Sequence, residues 1–265
     1  MIESKKEFKL ITKKNPRSLL PNALTIFGVC LGLSSIKFAL DANFTMAVIA
    51  IGFAAILDTL DGRVARLVKG TSKVGKELDS LTDVISFGVA PSFIMYFWSI
   101  KEIGKIGWMF VLIYIVCCAL RLARFNLTTI EETEMWKINF FQGVPSPAAA
   151  GLILLPLILN LSDLVQLGNN AITSSTMILI TSILMVSNLP TYSLKRILIP
   201  RNLTIFLLLG IGIYIGLLIF YTFQILFISG VIYILLIPIS YFHFRYLNKK
   251  LISVKKDEEE TEDVL

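Results

Sequence analysis

The apolar residues of this chain come in long blocks, without the alternation of a half-buried strand or the single stripe of a soluble helix. Eight blocks stand out, at about 19–39, 44–64, 80–99, 106–124, 146–162, 171–189, 203–222 and 224–243. Each is near the roughly 20 residues that a helix needs to cross the hydrocarbon of a bilayer. The pattern predicts an all-α fold: a polytopic integral membrane bundle of about eight transmembrane helices. The fifth block is short and opens at prolines. Only Thr222 to Gln224 interrupt the last two blocks, which predicts a tight turn there.

Polar residues divide the chain into a basic arm over 1–18, a membrane domain over 19–243 and a charged tail over 244–265. The tail turns from basic at Lys249 to acidic over Asp257 to Asp263, and is expected to be disordered. Phe8, Leu10 and Ile11 interleave the basic arm. It either lies in the lipid headgroups or stays solvated and sets topology. The long basic region, with a full span after it and no small-residue cleavage site, argues against a cleaved signal peptide. With both termini in the cytoplasm, all but Lys37, Lys101 and Lys105 of the 25 lysines and arginines face inward. The positive-inside rule favours that orientation. It sets the connection between the second and third spans on the cytoplasmic face of the cell's inner membrane.

Composition narrows the function. Hydrophobic residues make up 55% of the chain and mean hydropathy is +0.75, beyond a soluble domain. A net charge of +6 suits an anionic membrane surface. The basic stretches lack the aromatic interleaving that stacks bases, which argues against nucleic acid. Cys30, Cys117 and Cys118 fall in expected spans and read as packed thiols. His243 is the only histidine, so Ser-His-Asp and zinc chemistry are disfavoured.

One stretch departs from the pattern. From the end of the second apolar block onward, Asp58, Asp61, Asp79 and Asp83 follow within a short span of sequence. At about 100° per residue, Asp58, Asp61, Gly62, Ala65 and Arg66 share one helix face within an arc of about 140°. Asp79 and Asp83 are four apart and share a face of the next helix. Two such helix ends brought together converge four carboxylates, whose repulsion one or two divalent cations would relieve. Gly62 and Ala65 leave room on that face for a ligand, and Arg66 adds a forked donor suited to phosphate. The bland account, a loop whose acids merely balance its lysines and arginines, needs no such spacing.

The spacing D-x2-D-G-x2-A-R-x8-G-x3-D-x3-D resembles that of the CDP-alcohol phosphotransferases at every position. The resemblance implies transfer of a phosphodiester-linked group from a CDP-activated donor to an alcohol, with release of CMP. It implies Asp58, Asp61, Asp79 and Asp83 as ligands of Mg2+ or Mn2+, two ions in all, with Asp83 also the general base. Gly62, Ala65, Arg66 and Gly75 would bind CDP-diacylglycerol or make room for it. Asn22 and Thr25 match a Pro-Asn-x-x-Thr pattern that the family sets near the nucleotide; Asn22 suits a helix cap equally well. Ser72 lies where the family keeps a hydroxyl near phosphate, and is as readily an ordinary loop serine.

Outside that motif, Cys118 to Asn126, Phe141 to Pro147 and, more weakly, Ser187 to Lys195 resemble the phosphatidylserine synthases of bacteria and archaea. This likeness runs over roughly residues 17 to 200. It implies L-serine as acceptor, phosphatidylserine as product and a homodimeric assembly. Arg121 or Arg124, with Asn126, would hold the acceptor's carboxylate; both arginines equally suit anchoring at the membrane face. The last two spans carry no charge and are assigned to scaffolding, oligomer contact or lipid contact. Rival readings keep the chemistry with glycerol 3-phosphate or inositol as acceptor, or make the chain a divalent-cation transporter. A transporter would spread its acids through the midplane of several spans.

Overall fold

The computed structural model describes residues 19–68, 73–127, 140–165, 170–192 and 201–262. The basic arm 1–18 and Ser72 lie outside the described residues, as do 128–139, 193–200 and the last three residues.

Every apolar block forms a helix. The first two are α1 (Leu19–Leu40) and α2 (Phe44–Leu67). The third opens as α3 (Lys73–Asp83), passes through a π-helical turn (Val84–Val89) and continues as α4 (Ala90–Trp98). A 3-10 turn (Ile100–Ile103) leads into α5 (Lys105–Leu127). Then follow α6 (Ser146–Leu161), α7 (Asn170–Val186), α8 (Arg201–Phe220) and α9 (Thr222–Glu262). Among the described residues six helices are long and apolar enough to cross a membrane, while α6 and α7 are shorter. α6 spans 16 residues, about 24 Å at the usual rise per residue. It is apolar on all sides, and Ala149, Ala150, Ile153, Leu154 and Leu157 are buried. A helix wrapped by other helices need not match the bilayer by itself.

Two short strands join the helices and had no counterpart in the hydropathy pattern. β1 (Phe140–Gln142) pairs antiparallel with β2 (Pro190–Tyr192), Phe141 opposite Thr191. The pairing satisfies backbone groups that no helix serves. Gly143, with φ +73°, turns the chain from β1 toward α6, where a side chain would strike the Met185 carbonyl at 2.6 Å.

The third span starts earlier than its apolar block. Its polar head, from Lys73 to Asp83, is already helical, so Asp79 and Asp83 sit in its second and third turns and not at its mouth. Pro91 has no N–H to give to the Phe87 carbonyl four residues back, and the Tyr114 hydroxyl donates to that carbonyl instead, at 3.0 Å. The last two helices meet at Tyr221, one residue before the expected turn. α9 runs through Glu262, into the charged tail. Its lysines and glutamates are strong helix formers, and they extend a helix already nucleated by the span before them.

The candidate carboxylate and arginine pockets

α2 and α3 bring the acidic residues together. One oxygen each from Asp58, Asp61 and Asp79 lies within 4.8 Å of the others, close enough to share one cation. Asp83 is not one of these three. Its carboxyl lies against that of Asp58, and its Oδ1 is buried with no hydrogen-bond partner among the described residues. Acids held this close in a half-dry setting favour a bound cation, and all-oxygen donors suit Mg2+ or Mn2+ better than softer metals.

α1 takes part in this pocket. Thr25 is buried, and its hydroxyl reaches both the Asp61 Oδ2, at 2.6 Å, and the Pro21 carbonyl, at 3.0 Å. A donor at that distance fixes the rotamer of an acid that would otherwise turn away from a shared ion. Asn22 is half-buried one turn before. The space over Gly62 is open, with nothing within 4 Å of where a side chain would start. Ala65 is half-buried beside it and Arg66 is exposed. The Arg66 Nε donates to the Gly62 carbonyl at 3.0 Å, which holds the guanidinium along the open face. Gly75 is half-buried on α3.

A second polar pocket adjoins the first through Asp83. Arg121, on α5, is 9% exposed and close enough to Asp83 to interact with it electrostatically. Its Nη1 donates to the Ser146 hydroxyl at 2.5 Å, while its Nε is buried and unpartnered among the described residues. Arg124, one turn on, faces elsewhere. It donates to the Val186 carbonyl at 3.0 Å, to Asn188 Oδ1 at 3.0 Å and to the Ser187 carbonyl at 3.3 Å. The two backbone carbonyls stand at the end of α7, where a cation also meets the helix dipole favourably. Asn126 donates to the Ser80 hydroxyl at 2.8 Å and ties α5 to α3. The two arginines thus part company: Arg121 points inward with a donor to spare, and Arg124 clamps a helix end.

Three segments that were separate in sequence meet here. Cys118 to Asn126 supplies Arg121, and the stretch around Pro145 supplies Ser146. The stretch around Pro190 supplies Thr191, whose hydroxyl donates to the Gly143 carbonyl at 2.8 Å. Sequence reasoning missed Ser146 and Thr191. Their signal was a hydroxyl inside a proline-bounded apolar segment, which by itself reads as helix-start chemistry.

The family model for CDP-alcohol phosphatidyltransferase matches residues 18–191, and one for CDP-alcohol phosphatidyltransferase 2 matches residues 202–238. The chain is similar to a Helicobacter pylori protein named CDP-diacylglycerol–serine O-phosphatidyltransferase, at 41% identity over 73% of this chain and 79% of that one. It is 40% identical to a Mycobacterium tuberculosis protein of the same name, over 69% of this chain and 64% of the relative. A Bacillus subtilis protein of that name is 37% identical over 49% of this chain and 70% of its own length. The matched stretch spans just under two thirds of the mycobacterial relative's length.

Proposed function

This chain belongs to the CDP-alcohol phosphatidyltransferase family, and we propose that it transfers the phosphatidyl group of CDP-diacylglycerol to L-serine, giving phosphatidylserine and CMP. The observation that carries the reading is that the two pockets are neighbours, with Asp83 of the first close enough to Arg121 of the second to interact electrostatically. An acid-rich pocket fit for a metal-bound diphosphate lies beside a buried guanidinium fit for one carboxylate.

The roles follow from the arrangement. Asp58, Asp61 and Asp79 would hold a divalent cation, with Asp83 completing a second site through its free oxygen. Such ions neutralise charge on the diphosphate and on the departing CMP. The open face at Gly62 and Ala65, with Gly75 and Arg66 beside it, receives the cytidine diphosphate. Thr25 keeps Asp61 in place, with Asn22 on the donor side. The serine hydroxyl is a weak nucleophile at neutral pH. Asp83 takes its proton as the oxygen bonds to the phosphatidyl phosphorus, and the bond from that phosphorus to the CMP oxygen breaks.

Arg121 is the only buried cationic side chain among the described residues. One guanidinium matches the single carboxylate of serine. The dianionic phosphate of glycerol 3-phosphate would call for more positive charge, and inositol for none. The acyl chains stay in lipid and the headgroup enters at the helix ends. The skew of basic residues supports setting those ends, and both termini, on the cytoplasmic face of the inner membrane. A homodimer completes the proposed assembly.

The test uses purified protein in detergent with CDP-diacylglycerol, supplied in turn with serine, glycerol 3-phosphate and inositol, after chelation and after return of Mg2+ or Mn2+. Phosphatidylserine and CMP should form in equal amounts, with serine alone and only with a metal. Product from another acceptor, or turnover that survives chelation, would overturn the assignment.

A further inference from the structure

The last helix carries a polar group that its surroundings do not explain. Between Ile228 and Tyr246, α9 presents many exposed apolar residues, among them Ile232 and Leu235. At Gly230 the helix comes against α6 so closely that a side chain there would collide with Leu155. One turn on, Tyr233 is drawn inward and packs against the core. Its hydroxyl is buried and has no hydrogen-bond partner among the described residues. Thr191, whose own proton goes to the Gly143 carbonyl, lies close enough to influence the phenol, but the two do not meet in hydrogen-bond geometry. A cavity of about 80 Å³ lies between Tyr233, Leu236 and Ile237 of α9 and the Thr191–Tyr192 strand.

Tyr233 is also near enough to Arg121 for the two to interact electrostatically. Two buried donors, the Arg121 Nε–H and the Tyr233 O–H, are therefore left open in one region. Leaving both unmet is costly, and a carboxylate, which only accepts, can satisfy both at once. The two come from helices that the sequence keeps far apart, and β2 lies against one of them.

We propose that Tyr233 is a binding residue for the acceptor's carboxylate, sharing it with Arg121, so that α9 forms one wall of the acceptor pocket. The inference rests on the amino-acid acceptor proposed above and gives the last helix a role in selectivity beyond scaffolding. Tyr233 does not reach the phosphorus. It selects acceptors that carry a carboxylate beside the attacking hydroxyl.

The experiment compares serine with serinol, in which a hydroxymethyl group replaces the carboxylate, in the full-length wild type and in Tyr233→Phe. Removing one hydrogen bond to a charged group should raise the KM for serine about tenfold. The KM for CDP-diacylglycerol and kcat should stay within about twofold. The preference for serine over serinol should fall by about tenfold, because serinol never used the bond. Equal losses with both acceptors, or an unchanged KM for serine, would overturn the proposal. Tyr233→Leu is a second variant held to the same outcomes should the first fail to fold. A wild type that makes no phosphatidylserine sinks the function and this subsite together. A wild type that makes it, beside an indifferent Tyr233→Phe, sinks the subsite alone.

Discussion

The carboxylate pocket and the arginine pocket are neighbours, coupled electrostatically through Asp83 and Arg121, yet they are built in opposite ways. The first draws its acids from two consecutive helices joined by a short link, with Thr25 of α1 reaching in to steady Asp61. The second needs α5, the head of α6, the β1–β2 pair and α9, brought from distant parts of the chain. A pocket made from neighbouring helices keeps its geometry wherever those two helices fold. A pocket made from four segments exists only once the whole bundle has closed. The difference suits the proposed chemistry: the donor half is a compact motif, and the acceptor half is assembled around it by elements free to vary.

Variants that act on one pocket and spare the other test this division. Asp83→Asn should have the largest effect, since Asp83 belongs to both. CMP release should fall by about 10²–10⁴-fold, the usual contribution of a positioned base, while the protein stays monodisperse in detergent. Retained turnover would move the base elsewhere. Arg121→Ala comes next. It should raise the KM for serine by about 10–100-fold, as expected for a lost charged hydrogen bond, and leave the KM for CDP-diacylglycerol nearly unchanged. An equal rise for both substrates would erase the boundary between the pockets.

Thr25→Val tests the donor side more gently. Loss of its bond to Asp61 should lower kcat about tenfold and shift activation to higher metal concentration, with the KM for serine unaffected. A change in serine KM without a metal shift would count against Thr25 as the support of Asp61. Arg124→Ala is expected to have the smallest catalytic effect. It removes a clamp on the end of α7, worth about 1 kcal/mol, so the melting temperature should drop by about 2–4 °C. A large rise in serine KM with no loss of stability would return Arg124 to the acceptor site.

The parts legible in the sequence share a physical feature: they depend on short range. Each apolar block gave helix, the third as α3 and α4 joined by a π-helical turn, because, without water, a backbone in lipid must bond within its own segment. The convergence of Asp58 and Asp61 followed from helical periodicity and the neighbouring span. Arg121 and Arg124, by contrast, looked alike, three apart at one helix end. Only packing against α6 and α7 separated them, giving one to Ser146 and the other to the carbonyls of α7. The π-helical turn behind Asp83 was equally hidden, because Pro91 announces a missing N–H but not the Tyr114 hydroxyl that replaces it. In the tail two local signals compete: its charges suggest solvent, while its helix propensity and the span before it carry α9 onward.

By itself the sequence determined a helical membrane protein with a cluster of acids at the junction of two spans, since hydropathy and helical spacing are properties of the chain alone. Which oxygen stayed unpartnered, which arginine kept a free donor and which face of α9 turned inward were decided by the closed bundle. Those choices depend on what each side chain meets across helices, and contacts between distant segments leave no period in the sequence to read.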